Sequence, residues 1–171
     1  NGGYLYELAE CYKHAINVAN LKFDCIYGPA YKGIFLGSII AMVLDKDGFK
    51  YPLSFDRKEI KDHGEGGTII GNNPSGDVLI VDDVISAGTA AKESIKMIKL
   101  TGATPKIMMV GLDRQEKGSG NLSARRELEE EFGMQVISII NLDTLITYSQ
   151  SNSGYEKHLE RLQAYRNEWG A

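Results

Sequence analysis

Apolar residues along the chain follow two spacings, and these predict where its helices and strands lie. From residue 4 to 20, Leu5, Leu8, Tyr12 and Ile16 fall on one helical face. Elsewhere, short apolar runs bounded by glycine, proline or charged residues predict strands. The predicted helices cover 4–20, 33–44, 89–100, 122–132, 142–150 and 155–168, and the predicted strands cover 23–27, 51–55, 78–81, 106–112 and 135–140.

Helices and strands alternate, and the strands are apolar on both faces. This pattern predicts an α/β fold, a parallel sheet flanked by helices on both faces. A length of 171 residues suits one domain, 1–171. Ligands bind such sheets at the carboxyl ends of the strands. We therefore expect four segments to lie together at this edge of the sheet, which is called the rim below: 27–33, 56–76, the acids at 82–83 and Asp113–Arg114.

The connection from 56 to 76 carries many charges and several glycines, with little apolar content. Its cations are Arg57, Lys58, Lys61 and His63. Connections of this kind are usually mobile or functional, so we predict a mobile loop. By itself, the cluster is more typical of a solvated basic loop.

The segment from Val78 to Ala91 gives the strongest indication of a site. An apolar strand runs into Asp82 and Asp83, and a small-residue turn then opens a helix. Unpaired amides at a helix start bind anions, and Gly88 allows close approach. An acid pair alone is more often structural, but here it suits ribose hydroxyls or a magnesium shell. The segment predicts a sugar-phosphate site.

Composition excludes several classes. A net charge of −4 and a pI near 5.4 argue against non-specific nucleic-acid binding. The chain shows no bilayer-spanning apolar run, signal peptide or zinc-site spacing, so we expect no membrane partner. Cys11 and Cys25 do not form a disulfide framework, and we expect reduced thiols and a cytoplasmic location.

Both ends of the chain carry expectations. Asn1-Gly2-Gly3 is typical of a loop interior, and no initiating Met precedes it, so a segment is expected upstream. Near the other end, Tyr155, Leu159, Leu162 and Trp169 are expected to pack the last helix.

Val81-Asp-Asp-Val-Ile-Ser-Ala-Gly-Thr-Ala90 resembles the phosphoribosyl diphosphate (PRPP) signature of the type I phosphoribosyltransferases. Three further segments, 28–33, 57–67 and 112–116, narrow the resemblance to the orotate phosphoribosyltransferases. They are similar to that family's diphosphate turn, mobile catalytic loop and base-contacting arginine segment. The likeness runs from residue 4 to the C-terminus and is closest to the short monofunctional bacterial form. The family's N-terminal hood has no counterpart here, so its contacts to orotate cannot be assigned.

The resemblance implies Mg²⁺-dependent transfer of ribose 5-phosphate from PRPP to orotate. The products would be orotidine 5′-monophosphate and diphosphate, in UMP biosynthesis. It also implies a homodimer in which the 56–76 loop, notably Lys61 and His63, reaches the partner's site. Mg²⁺ would be held mainly by PRPP and water, with Asp82 and Asp83 nearby.

The implied site residues fall into three groups. Catalytic roles are implied for Lys61, His63, Asp82 and Asp83. Ser86 and Arg114 would contact orotate, although a surface ion pair with Glu116 is a fair alternative for Arg114. The Ala30–Tyr31 peptide is expected to be cis. PRPP contacts are implied for Tyr31, Lys32, Arg57, Lys58, Lys61, His63, Asp82, Asp83, Val84, Ile85, Ser86, Ala87, Gly88, Thr89 and Ala90.

Two alternatives remain open. The same machinery could serve another base, such as a purine or uracil. The chain could instead be a non-catalytic regulator that senses PRPP and binds nucleic acid. The acidic pI, the lack of a helix-turn-helix segment and the cationic 56–76 loop weigh against a regulator.

Overall fold

The computed structural model describes residues 1–57, 68–86 and 88–171, and the described parts form alternating strands and helices. This confirms the predicted α/β class. The elements are α1 (Gly2–Val18), β1 (Cys25–Gly28), α2 (Lys32–Lys46), β2 (Leu53–Asp56), β3 (Ile69–Gly71), β4 (Asp77–Ile85), α3 (Thr89–Leu100), β5 (Thr104–Asp113), α4 (Ala124–Phe132), β6 (Gln135–Asn141), α5 (Leu142–Ser151) and α6 (Glu156–Trp169).

The six strands form one sheet in the order β3-β2-β1-β4-β5-β6. Every neighbouring pair is parallel except β2 and β3, so β3 is an antiparallel edge strand. The sequence did not predict β3, which lies inside the segment expected to be a loop. Three residues are too few to show a strand pattern, and pairing of Ile70 with Phe55 supplies the order.

Side-chain alternation along β4 divides the core into two layers. Val78 and Ile80 point to the face covered by α3 and α4, whereas Leu79 and Val81 point to the face covered by α1 and α2. All four side chains are fully buried. Helices therefore cover both faces of the sheet, as predicted.

Strand β4 is longer than predicted and contains the acid pair. We expected the strand to end at Val81, but it continues to Ile85 because β5 pairs with it as far as Asp113. Pairing with β1 stops earlier, at Tyr27 opposite Ile80. Asp82 and Asp83 therefore lie in a stretch of strand that is paired on one side only.

Both ends of the chain differ from expectation. Gly2 and Gly3 lie in α1, and Asn1 caps that helix by accepting a hydrogen bond from the Tyr4 amide at 3.3 Å. At the other end, Tyr155 and Trp169 are 45% and 52% exposed. None of the α6 residues, all of which the structure describes, is buried. Leu159 and Leu162 are half-buried, so the expected packing of α6 was wrong for Tyr155 and Trp169 but not for these two leucines.

The turn after β1 folds tightly against the sheet. A Cβ on Gly28 would lie 2.1 Å from the Gly33 carbonyl oxygen, and one on Gly33 would lie 2.8 Å from that of Val81. The Ala30–Tyr31 peptide is cis, as predicted. The Ala30 amide donates to Asp56 Oδ1 at 2.5 Å, so the turn is tied to the end of β2.

Adding a methyl group to this turn should therefore destabilise the fold. We expect Gly28→Ala to lower the free energy of unfolding by about 3 kcal/mol, because backbone atoms cannot move aside as side chains can. Urea denaturation measures the change. Gly2→Ala is the matched control, because a Cβ there meets nothing within 4 Å. Equal stability of the two variants would contradict the expectation.

Candidate active site

The carboxyl ends of the parallel strands meet at the rim, where an ion pair and a backbone hydrogen bond connect neighbouring elements. Lys32 Nζ lies 2.5 Å from Asp83 Oδ2, which links the start of α2 to β4. The Arg114 amide donates to the Ile85 carbonyl at 3.3 Å, which continues the contact between β4 and β5. The structure thus brings the predicted turn, acid pair and arginine segment to one edge.

A cavity of about 240 Å³ opens where β4 passes into α3. Gly88 begins that helix with φ of 81°, a left-handed conformation that favours glycine. No side chain of the described residues caps α3 at this end, so amides of its first turn remain available to an anion. The cavity is lined by Asp82, Val84, Ile85, Ser86, Gly88, Thr89, Ala90, Ala91 and Met108.

Successive side chains along a strand point to opposite faces of the sheet, so Asp82 and Asp83 have different surroundings. Asp82 lines the cavity on the α3 side, whereas Asp83 pairs with Lys32 at the start of α2. Burial raises the pKa of Asp82 to about 6. The Asp83 charge also raises that pKa, while a 2.8 Å hydrogen bond from the Asp83 amide lowers it. The Asp82 proton is therefore held more tightly than that of an exposed aspartic acid.

Tyr12 holds the backbone of the acid pair in place, through a contact that the sequence did not predict. Its hydroxyl donates to the Asp82 carbonyl oxygen at 2.7 Å, and its side chain is buried. Burial raises the pKa of Tyr12 far above its usual range, so it remains a donor. A Cβ on Gly111 would lie 3.2 Å from this hydroxyl. Glycine within a strand marks such close approaches, and Gly111 was the available signal.

Arg114 makes the ion pair considered as its alternative role. Its Nη2 lies 2.7 Å from Glu116 Oε1. The same nitrogen donates to the Tyr165 hydroxyl, and the guanidinium carbon lies 5.2 Å from the Tyr165 ring centroid. Neither Arg114 nor Lys32 is among the residues that line the cavity. The cavity and these two cations are neighbouring parts of the rim.

The remaining predicted residues are described only in part. Lys58, Lys61, His63 and Ala87 lie outside the described residues. The Tyr31 side chain is exposed, and the Arg57 amide donates to the Thr68 carbonyl at 2.9 Å. Arg57 Nε is buried and has no hydrogen-bond partner within the described ranges.

The fold and the rim together define a phosphoribosyltransferase. The family model "Phosphoribosyl transferase domain" matches residues 5–119, which include the first five strands and the acid pair. In the described part of the chain, no helix combines the length and apolar character needed to span a membrane.

Similar proteins narrow the class. An orotate phosphoribosyltransferase of Marinobacter nauticus is 51% identical over 99% of this chain and 80% of its own length. One of Cellvibrio japonicus is 48% identical over 99% and 79%. The crystal structure of the Francisella tularensis enzyme matches with a TM-score of 0.84 and 33% identity, covering 100% of this chain and 82% of that one. This chain belongs to the orotate phosphoribosyltransferase family, a family of transferase enzymes, as the sequence predicted.

The raised pKa of Asp82 predicts a pH-dependent cost of ionisation. A carboxyl whose pKa rises on folding destabilises the fold where it is ionised, here above about pH 6. This penalty disappears below the ordinary aspartate pKa of about 4. We expect Asp82→Asn to be more stable than the unsubstituted protein by about 1 kcal/mol at pH 8, after allowing for solvent screening, and equally stable at pH 4.

Thermal unfolding at both pH values measures this difference. Asp45→Asn is the control, because Asp45 is exposed and is not among the residues that line the cavity. A stability gain of the same size at pH 4 and pH 8 would show that ionisation of Asp82 is not its cause.

Proposed function

We propose that this protein transfers ribose 5-phosphate from PRPP to orotate, forming orotidine 5′-monophosphate and diphosphate in UMP biosynthesis. The observation that carries the proposal is the cavity at the end of β4, where an uncapped helix start meets Asp82. Membership of the orotate phosphoribosyltransferase family supports orotate as the base that accepts the ribose 5-phosphate. The free cysteines, Cys11 and Cys25, are consistent with the proposed cytoplasmic location.

The reaction exchanges one bond at the ribose carbon. A nitrogen of the base attacks that carbon, and diphosphate departs with the electron pair of the broken carbon–oxygen bond. The sugar becomes oxocarbenium-like while negative charge grows on the leaving group. The protein supplies positioning and charge neutralisation rather than covalent chemistry. Such a site needs hydrogen-bond donors or cations at two separate places, one for the 5′-phosphate and one for the diphosphate.

The 5′-phosphate would occupy the cavity between β4 and α3. Amides in the segment from Val84 to Ala90 would donate to its oxygens, and the hydroxyls of Ser86 and Thr89 would add donors. The left-handed conformation of Gly88 supports this role, because it opens the helix start without a side chain. Ile85 anchors the segment through its buried side chain.

The ribose would lie against the acid pair. Asp82 lines the cavity, so its ionised carboxylate would accept hydrogen bonds from ribose hydroxyls beside the bound phosphate. Asp83 lies next to it, with Lys32 as its partner. Both aspartates would orient the reacting carbon, and we assign catalytic roles to them together with Lys61 and His63.

The diphosphate would lie across the turn after β1. Lys32 stands there with 65% of its side chain exposed, and Tyr31 and Arg57 flank the same edge. Lys58, Lys61 and His63 would complete the cation set from the 56–76 loop. In the proposed homodimer, this loop reaches the partner's site.

The carboxylates at the rim fit a magnesium ion that is shared with the substrate. Mg²⁺ usually keeps several waters and binds one or two carboxylates plus substrate phosphates. Asp82 and Asp83 supply such a pair, and the described ranges contain no group of three or more metal-ligating side chains that would form a cage. When bound, the ion would neutralise charge on the diphosphate.

The base would meet Arg114, with Ser86 on the cavity side. A guanidinium presents a planar fork of donors that matches a carboxylate, which orotate carries and uracil and hypoxanthine lack. This difference favours orotate over the other bases considered. The ion pair with Glu116 places the Arg114 guanidinium against a carboxylate already, so a carboxylate is a suitable partner for it.

Lys32 allows a direct test of the diphosphate assignment. We expect Lys32→Gln to raise the KM for PRPP about tenfold, because a charge-assisted contact is lost. The melting temperature should hardly change, since exposed ion pairs contribute little stability. Lys13→Gln, which removes ion pairs to Glu10 and Asp47, is the matched control. A KM for PRPP that stays within twofold would exclude Lys32 from the diphosphate site.

The activity is tested by offering PRPP and Mg²⁺ with orotate, uracil, hypoxanthine or adenine. We expect diphosphate release with orotate at least about a hundredfold faster than with any other base, because only orotate satisfies Arg114. Diphosphate release coupled to nucleotide formation is the measurement. Consumption of uracil or a purine, but not orotate, would overturn the substrate assignment, and PRPP binding without any turnover would favour the sensor alternative.

A further inference from the structure

Arg114 is held by a network that reaches the last helix of the chain. Its amide is fixed beside Ile85, and its Nη2 lies 2.7 Å from Glu116 Oε1. The same Nη2 donates to the hydroxyl of Tyr165, which in turn donates to Glu116 Oε1. Arg114, Glu116 and Tyr165 thus form a closed three-membered network.

Tyr165 contacts the guanidinium in two ways. Its hydroxyl accepts a hydrogen bond from Arg114, and its ring lies 5.2 Å from the guanidinium carbon. The Arg114 side chain is 39% exposed and that of Glu116 only 13%. The carboxylate is therefore the sheltered member, and the guanidinium keeps a face toward solvent. That open face can receive a second anion.

Helix α6 is itself fastened to the segment that carries Arg114. The Lys117 amide donates to the Trp169 carbonyl at 3.0 Å, and the Ala171 amide donates to the Gln115 carbonyl at 3.1 Å. The Gln115 side chain exchanges two further hydrogen bonds with Asp143 at the start of α5, at 2.8 and 2.9 Å, and Asp143 in turn pairs with Arg166 of α6. Leu159 and Leu162 of α6 are only half-buried, so these polar contacts contribute to its docking. They hold Tyr165 in register with Arg114.

We propose that Tyr165 is a positioning residue for base recognition, whose hydroxyl and ring hold the Arg114 guanidinium ready for the carboxylate of the base. This inference rests on the proposed transfer to orotate. Tyr165 acts through Arg114 and needs no contact with substrate itself. A free arginine side chain samples many rotamers, so fixing its fork before binding lowers the cost of each hydrogen bond that it forms.

Tyr165→Phe removes the hydroxyl and keeps the ring. We expect the KM for orotate to rise about tenfold, while kcat and the KM for PRPP stay within about twofold, because binding of only one substrate depends on Arg114. Tyr155→Phe is the matched control, since it makes the same chemical change at an exposed tyrosine beside α6. The control should leave all three constants within about twofold.

A double-mutant cycle tests whether the effect passes through Arg114. Arg114→Lys removes the fork that Tyr165 orients. In that background, we expect Tyr165→Phe to change the KM for orotate by less than about twofold. Tenfold effects in both backgrounds would show that Tyr165 does not act through Arg114 and would overturn the inference.

The outcomes separate this inference from the proposed function. If the unsubstituted enzyme uses orotate and Tyr165→Phe has an unchanged KM for it, only the positioning role is refuted. If both KM values rise together with a lower melting temperature, Tyr165 is merely structural and the role is again refuted. If the unsubstituted enzyme consumes PRPP with other bases but not with orotate, the proposed function and this inference both fail.

Discussion

The unequal pairing of β4 is the constraint on which the site depends. Its neighbour β1 stops pairing at Ile80, whereas β5 stays paired as far as Ile85. The last part of β4 is therefore a rigid strand with one open side. Rigidity comes from the β5 ladder, and access comes from the missing β1 partner. Had β1 continued, a neighbouring strand would cover the stretch that holds Asp82 and Asp83. Had β5 also stopped, the acids would lie on a loop without fixed alternation.

The same constraint brings conflicting charges together. The open strand carries two carboxylates, yet the helix start beside it suits a phosphate. Lys32 reduces the conflict, because its ammonium lies 2.5 Å from the Asp83 carboxylate and offsets that charge. Tyr12 holds the Asp82 carbonyl without adding charge. An anion can therefore approach a rim that the bare sequence would suggest is repulsive.

How well the sequence predicted each feature depended on the range of the contacts that create it. The glycines at 28 and 33 and the start of α3 at Thr89 follow from local patterns, and each lies where its pattern indicated. The extent of β4 was missed because it depends on pairing with β5. Edge strand β3 was missed because its three residues gain their order only from β2.

Side-chain contacts between distant residues were missed for the same reason. The Tyr12 hydroxyl bonds a carbonyl 70 residues away, and Arg114 meets a tyrosine 51 residues further along. Neither partner has a local signature, because its environment exists only after folding. The roles assigned to Lys61 and His63 remain predictions, because those residues lie outside the described ranges.

The cation assigned to the diphosphate and the cation assigned to the base have the same kind of partner. Lys32 is paired with Asp83, and Arg114 is paired with Glu116, before any ligand arrives. Each cation is thus held by a carboxylate of the protein, and a substrate anion joins or replaces that partner. Because each cation is already fixed in place, less side-chain entropy is lost when an anion contacts it, which favours ligands that carry negative charge at both positions. PRPP with orotate meets this requirement. Uracil would leave Arg114 with Glu116 as its partner and would gain nothing from the guanidinium.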